Sequence, residues 1–228
     1  MIVLVLLIGF VLRLVNLNQS LWLDEAITAL AIKNYSLVEL ITKFSPGDFH
    51  PPLYYLLLKF WTNIFGYSEI ALRLPSVIFG VLTIFFVYKI GGKKAAILMA
   101  VNPLAIYYSQ EARMYSLVTM LITAAIYFFI NKNKKLFILT FLAALYTDYV
   151  PWLMFPVFLG SELLAVVIFL LPLTPLLLTQ IGMVFGASSS AWGDILGRAS
   201  FKNLFLVPAK FIFGRISFPV SIYAIFTA

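Results

Sequence analysis

An all-α bundle of membrane-spanning helices is the fold class this sequence predicts, and three observations carry that reading. Hydrophobic residues make up 63% of the 228 and charged residues only 11%, against about 25% charged in an ordinary soluble domain. So few charges cannot cover a water-facing surface, so much of the exterior must face lipid. The apolar residues fall into successive runs, with Lys and Arg gathered in the short loops between them, as in membrane proteins that span repeatedly. Finally, 22 Phe and 12 Tyr suit lipid-facing helices with aromatic belts at the interfaces.

The first element is Met1 to Asn16. It has no basic leading segment and no small-residue cleavage site, so it reads as a spanning helix and not as a signal peptide. Further runs cover Leu72–Tyr88, Ala95–Tyr108, Met114–Ile130, Leu136–Tyr146, Val150–Ile181 and Phe218 to the end. Several are shorter than the about 20 residues that cross the hydrocarbon, which a water-filled cavity or local thinning of the bilayer would accommodate. Val150–Ile181 predicts two short passes turning near Gly160-Ser161-Glu162, with Pro172 and Pro175 kinking the second. Ser188–Ser217 carries Asp194, Arg198, Lys202, Lys210 and Arg215 and reads as an outer loop with an amphipathic, surface-lying piece.

Charge orients the stack. Lys89, Lys93 and Lys94 form one tight basic loop and Lys132, Lys134 and Lys135 the next, placing both in the cytoplasm. Leu17–Arg73, the loop with Glu111 and Arg113, and Asp148 then lie outside. Because the last run stops inside a hydrophobic stretch, residues 1–228 are expected to be the N-terminal transmembrane portion of a longer chain. The net charge of +7 comes from the loops and forms no basic stripe interleaved with aromatics, which excludes nucleic acid as a partner. With no cysteine, disulfides, thiolate zinc sites and thiol catalysis are excluded. No glycine-rich nucleotide loop occurs.

The polar residues concentrate in four places. Asp24 and Glu25 are adjacent in Ser20-Leu-Trp-Leu-Asp-Glu-Ala26, where Ser20 would cap a helix running through Lys33 and the carboxylates would suit its first turn. Asp48-Phe-His-Pro-Pro-Leu-Tyr-Tyr55 holds the single histidine, His50, before two prolines that fix an extended backbone. It predicts a rigid turn onto an interfacial helix anchored by Tyr54, Tyr55 and Trp61, or a fixed imidazole that meets a phosphate or a metal. Glu69 and Arg73 have the spacing of a helical ion pair, with Arg73 as an anion contact the second reading. Tyr107-Tyr-Ser-Gln-Glu-Ala-Arg-Met-Tyr115 places Glu111 and Arg113 in a loop too short to reach far into water, and polar groups at that depth line cavities.

Together these give an outer-face site at membrane depth with several carboxylates and a few cations, suited to a substrate with a lipid tail and an anionic head. Glycosyl transfer from a lipid-linked sugar phosphate would need one carboxylate to deprotonate the acceptor and cations to hold the departing phosphate. A transporter or flippase of a lipid-linked or amphipathic substrate is the alternative. It would place polar groups near the midplane and repeat its halves, and neither pattern is evident. A noncatalytic membrane scaffold is a third reading.

Leu-Trp-Leu-Asp-Glu-Ala (21–26), His-Pro-Pro-Leu-Tyr-Tyr (50–55), Glu-Ile-Ala-Leu-Arg-Leu-Pro-Ser (69–76) and Tyr-Ser-Gln-Glu-Ala-Arg-Met-Tyr (108–115), in this order, resemble the polytopic GT-C glycosyltransferases of the protein O-mannosyltransferase and aminoarabinose-transferase type. The resemblance covers about the first half of the chain. It implies a GT-C helical bundle with amphipathic outer-face loop helices, and an inverting transfer from a polyprenyl-phosphate-linked sugar donor to a protein, lipid or glycan acceptor outside the membrane. It assigns Asp24 as general base accompanied by Glu25, and Arg113, with Arg73, as candidates for the donor phosphate. Glu111, Tyr115 and His50 join them as substrate-binding positions. No cofactor is implied with certainty, and a divalent metal is the one candidate. Relatives often carry His or Asn in place of Asp148. They are also commonly much longer, so acceptor-binding parts are expected beyond this chain, which by itself is expected to be inactive.

Overall fold

The computed structural model describes residues 2–158 and 162–185, and among them every regular element is helical. Helix α1 (Ile2–Leu14) leads through a short turn into α2 (Leu23–Asn34). A broken stretch follows: α3 (Leu37–Glu39), a π-helical turn (Leu40–Phe44) and α4 (Ser45–Asp48), leading to α5 (Leu53–Phe65). Then come α6 (Glu69–Val101), α7 (Pro103–Ser109), α8 (Tyr115–Ile130) and α9 (Lys134–Leu145). The described chain finishes with a 3₁₀ segment (Val150–Phe158), α10 (Glu162–Leu170), a 3₁₀ turn (Leu171–Leu173) and α11 (Thr174–Phe185).

Helix α6 is a hairpin. Gly92 takes φ 71°, a conformation that side chains oppose, and reverses the chain between Lys89 and Lys93. Ile84 and Ala100, on opposite arms, both approach Gly9 of α1, which a straight helix would forbid, since 16 residues rise about 24 Å. The basic loop read from the sequence is therefore a tight turn. Asn102 ends the second arm and caps α7 by accepting from the Ala105 N–H at 2.8 Å.

Apolar side chains cover the outside of the bundle, as lipid contact requires. Val3, Leu4, Leu7 and Val11 form one exposed face of α1, and Leu139, Leu153 and Leu164 are likewise exposed. Inside, Ile32, Leu40, Tyr54, Tyr55, Leu58, Leu72, Met114 and Leu117 form the core beneath the polar loops. Phe137, Phe141 and Phe158 make an aromatic cluster farther along.

Several local expectations change. Trp22, not Ser20, precedes the first turn of α2, because the Glu25 carboxylate turns back to accept from the Trp22 N–H at 3.2 Å. Tyr54 and Tyr55 are fully buried rather than interfacial, because α5 presents Tyr54, Tyr55, Leu58 and Thr62 to the core while Phe60 and Ile64 face out. Val150–Phe158 is 3₁₀ rather than α, in keeping with Pro151 and Pro156, which withhold N–H groups from the ladder. The described parts of the long final run head in opposite directions, as two passes require. Phe158 packs on Phe129 and Phe137, whereas Gln180 bonds the Ser45 carbonyl and Tyr149. The turn expected at Gly160-Ser161, the outer loop expected at 188–217 and the run from Phe218 fall on residues outside the described ones.

Candidate functional site

The four polar clusters converge at one end of the bundle, joined by the Arg73–Glu25 and Arg113–Asp48 ion pairs. Glu25, fully buried in the first turn of α2, is the hub. Its carboxylate accepts from Arg73 Nε at 2.8 Å and Nη2 at 2.6 Å, and from the Ala112 N–H at 2.7 Å. Arg73, 5% exposed, donates its other N–H groups to the carbonyls of Leu17, Gln19 and Ser20. All five guanidinium N–H groups are thus used within the protein. The pair expected between Glu69 and Arg73 does not form, since Arg73 turns inward while Glu69 stays exposed. A buried bidentate pair is far stronger than a solvated one four residues away.

Asp24 differs from its neighbour. One residue further round α2, it is half-buried, and among the described residues no donor bonds its carboxylate. Only its backbone carbonyl is engaged, by the Thr28 hydroxyl at 2.9 Å. Its charge is nonetheless felt at Arg113.

Arg113 occupies the five-residue connection between α7 and α8 and is 3% exposed. Nη1 donates to Thr28 Oγ1 at 2.9 Å and Nη2 to Asp48 Oδ2 at 3.4 Å, while Nε is buried without a hydrogen-bond partner among the described residues. Burial works to lower this guanidinium's pKa, but the neighbouring Tyr55, Asp48, Tyr115 and Asp24 hold it above the ordinary arginine value. Tyr115 stands beside it at the start of α8, its ring against Tyr108.

Asp48 is the residue that motif reading passed over. Its Oδ2 accepts from the Tyr55 hydroxyl, lies 3.0 Å from His50 Nδ1 and receives Arg113. Burial would raise its pKa, yet His50, Arg113 and Tyr55 together keep it below the usual carboxylate value. The signal was its place in the same cluster as the histidine, two residues away, where a left-handed Phe49 (φ 58°) turns the chain. His50 itself is half-buried, tied to Asp48.

Glu111 is buried and lines a cleft of about 560 Å³ between the end of α1 and α7, together with Gln19, Trp22, Tyr107, Gln110 and the Glu25–Arg73 pair. Asp148, also buried, accepts from the Val150 N–H at 2.9 Å and shapes its own turn. Among the described residues no three His, Asp or Glu side chains converge as a metal site.

An all-helical bundle with candidate membrane helices, and with carboxylates and arginines gathered at one end, is the class of protein that this fold and site define, and it is consistent with a GT-C-like membrane fold. Residues 49–147 match a family described as dolichyl-phosphate-mannose-protein mannosyltransferase. The matched stretch is about two fifths of the chain and runs from Phe49 through His50, Arg73, Glu111, Arg113 and Tyr115. The match points to a glycosyltransferase of the mannosyltransferase-like group. No curated protein and no solved structure matches the chain.

Proposed function

We propose that this chain acts as a glycosyltransferase that moves a sugar from a polyprenyl-phosphate-linked donor to a hydroxyl acceptor on the outer side, with inversion. The observation that carries the reading is the contrast between Asp24 and Glu25. Glu25 is locked in a buried ion pair, whereas the half-exposed Asp24 in the same turn has a carboxylate that no donor among the described residues bonds.

In this mechanism Asp24 takes the acceptor proton as the acceptor oxygen attacks the anomeric carbon. The bond from that carbon to the phosphate oxygen breaks on the opposite face, and polyprenyl phosphate leaves. A phosphate leaving group needs no acid to protonate it, unlike the alcohol leaving group of a glycosidase. Arg113, with an unused Nε–H, supplies the charge-assisted donor for that phosphate, while Asp48 and Thr28 set its orientation. Glu25 and Arg73 position the loop that carries Arg113. Glu111, which lines the cleft beside α1 and α7, is assigned to substrate binding, as are Tyr115 beside Arg113 and His50 beside Asp48.

The basic turns at Lys89–Lys94 and Lys132–Lys135 lie at the far end of the helices from Asp24, which under the positive-inside rule supports an outward-facing site. The test is transfer of radiolabelled sugar from a panel of polyprenyl-phosphate sugars, in membranes expressing the whole protein and its Asp24→Asn variant. Transfer that vanishes in the variant while donor binding persists is the expected result. Equal transfer by both proteins removes Asp24 from the mechanism, and no transfer from folded wild type with native membranes as acceptor favours a transporter.

A further inference from the structure

Arg13 is a charged side chain that the proposed chemistry does not use, yet it is fully buried in the last turn of α1, at a depth where charge is expensive. Among the described residues it has no carboxylate partner. Its guanidinium instead donates through Nε to Ser109 Oγ at 3.1 Å, through Nη1 to the carbonyls of Gly9 at 2.9 Å and Ala100 at 3.0 Å, and through Nη2 to Met99 at 3.3 Å.

Two of those acceptors, Met99 and Ala100, belong to the last turn of α6. Pro103 has no N–H, so the carbonyl four residues back, Met99, loses its helical partner where α6 gives way to α7. Arg13 fills that place, and its charge suits a helix C-terminus. The surroundings are cut to fit it. A Cβ at Gly80 would sit 2.2 Å from Ser109 Oγ and 2.8 Å from Arg13 Nε, and one at Gly9 would sit 2.4 Å from Ile84 Cδ1.

We infer that Arg13 is a positioning residue: by bridging α1, the end of α6 and Ser109 at the end of α7, it fixes the connection that presents Ala112 to Glu25 and Arg113 to Thr28 and Asp48. The chain from Ser109 to Arg113 is short, so a displacement at Ser109 reaches Arg113 with little slack. Gln110 reinforces the join, its Nε2 donating to the carbonyls of Leu12 at 3.3 Å and Val15 at 2.8 Å. The catalytic consequence rests on the glycosyl-transfer reading, whereas the positional one does not.

Amide hydrogen exchange, followed by mass spectrometry on detergent-solubilised protein, separates the two. Ser109→Ala removes one contact with no added bulk, Gly80→Ala crowds the same contact, and Arg13→Lys keeps the charge but loses the planar fork. Exchange across residues 110–114 is expected to quicken about tenfold, the worth of one charge-assisted hydrogen bond, with α9 unchanged. Transfer per folded molecule should fall by a comparable factor. Unchanged exchange in 110–114 for both Ser109→Ala and Gly80→Ala overturns the inference. So does a rise spread evenly over α8 and α9, which would mark Arg13 as general scaffolding. If wild type transfers no sugar, the functional reading fails while the exchange data still decide the role of Arg13.

Discussion

Replacing Glu25 by Gln should unfold the protein far more readily, whereas replacing its neighbour Asp24 by Asn should not. The two oxygens of Glu25 each serve one Arg73 N–H and one backbone N–H: Oε1 takes Arg73 Nε and Ala112, and Oε2 takes Arg73 Nη2 and Trp22. A glutamine has one acceptor oxygen. Whichever way its amide turns, two donors lose their acceptor and face an NH₂ group. At about 1–3 kcal/mol for each buried donor stranded, and with the about 3–5 kcal/mol of a broken buried pair as a ceiling, the loss should be about 3 kcal/mol. That lowers the folded-to-unfolded ratio by roughly a hundredfold. Asp24 has no side-chain bond to lose among the described residues, so Asp24→Asn should change stability by less than about 1 kcal/mol, its effect on the helix dipole. The assay is unfolding of detergent-solubilised protein in increasing dodecyl sulfate, followed by tryptophan fluorescence, beside transfer per folded molecule. Equal destabilisation by the two variants, or none by Glu25→Gln, refutes the separation into a structural and a catalytic carboxylate.

Arg113→Ala should weaken donor binding at least tenfold, the loss of one charge-assisted contact; unchanged affinity in a direct binding assay removes it from the phosphate site. The lowered pKa of Asp48 means that its stabilising effect is complete above the unfolded aspartate value near ~3.9 and fades as pH falls through the lower folded value. The stability difference between wild type and Asp48→Asn should therefore be largest near neutrality and shrink in acid, as dodecyl sulfate titrations at several pH values would show. Gly92→Ala should cost about 1–3 kcal/mol, because φ 71° with ψ −163° is a backbone conformation essentially confined to glycine; the same titration measures it. Cysteines placed singly at Glu111 and Lys134 should label from outside and inside respectively, and the reverse pattern overturns the orientation.

The fold was legible because lipid imposes a coarse rule. Runs of apolar residues punctuated by Lys predicted α1, both arms of α6, α8 and α9 in order, and the turn at Gly92 fell between the expected lysines. Partnerships were less legible. Helical spacing nominated Glu69 for Arg73, but the arginine points inward and finds Glu25, 48 residues away in sequence. Nothing local encodes that contact, which depends on α1, α2 and α6 meeting at one end. Asp48 was missed for the same reason: its importance comes from Arg113, brought from another loop.

The division of labour between Asp24 and Glu25 follows from helix geometry. Successive residues on a helix point about 100° apart, so two adjacent carboxylates in a first turn cannot both face the core. The inward one needs a partner, since burying a charge without one is costly, and Arg73 provides two N–H groups to it while its other three go to backbone carbonyls. The outward one needs no partner for folding and can stay chemically available. The two arginines divide the same way. Arg73, saturated, holds the backbone in place, and Arg113, with Nε unbonded among the described residues, is the one proposed to meet the donor phosphate. A site built this way pairs each reactive group with a buried counterpart that fixes it. Charge-preserving substitutions such as Glu25→Asp and Arg73→Lys should therefore impair transfer through misplacement, even though the net charge of the site stays the same.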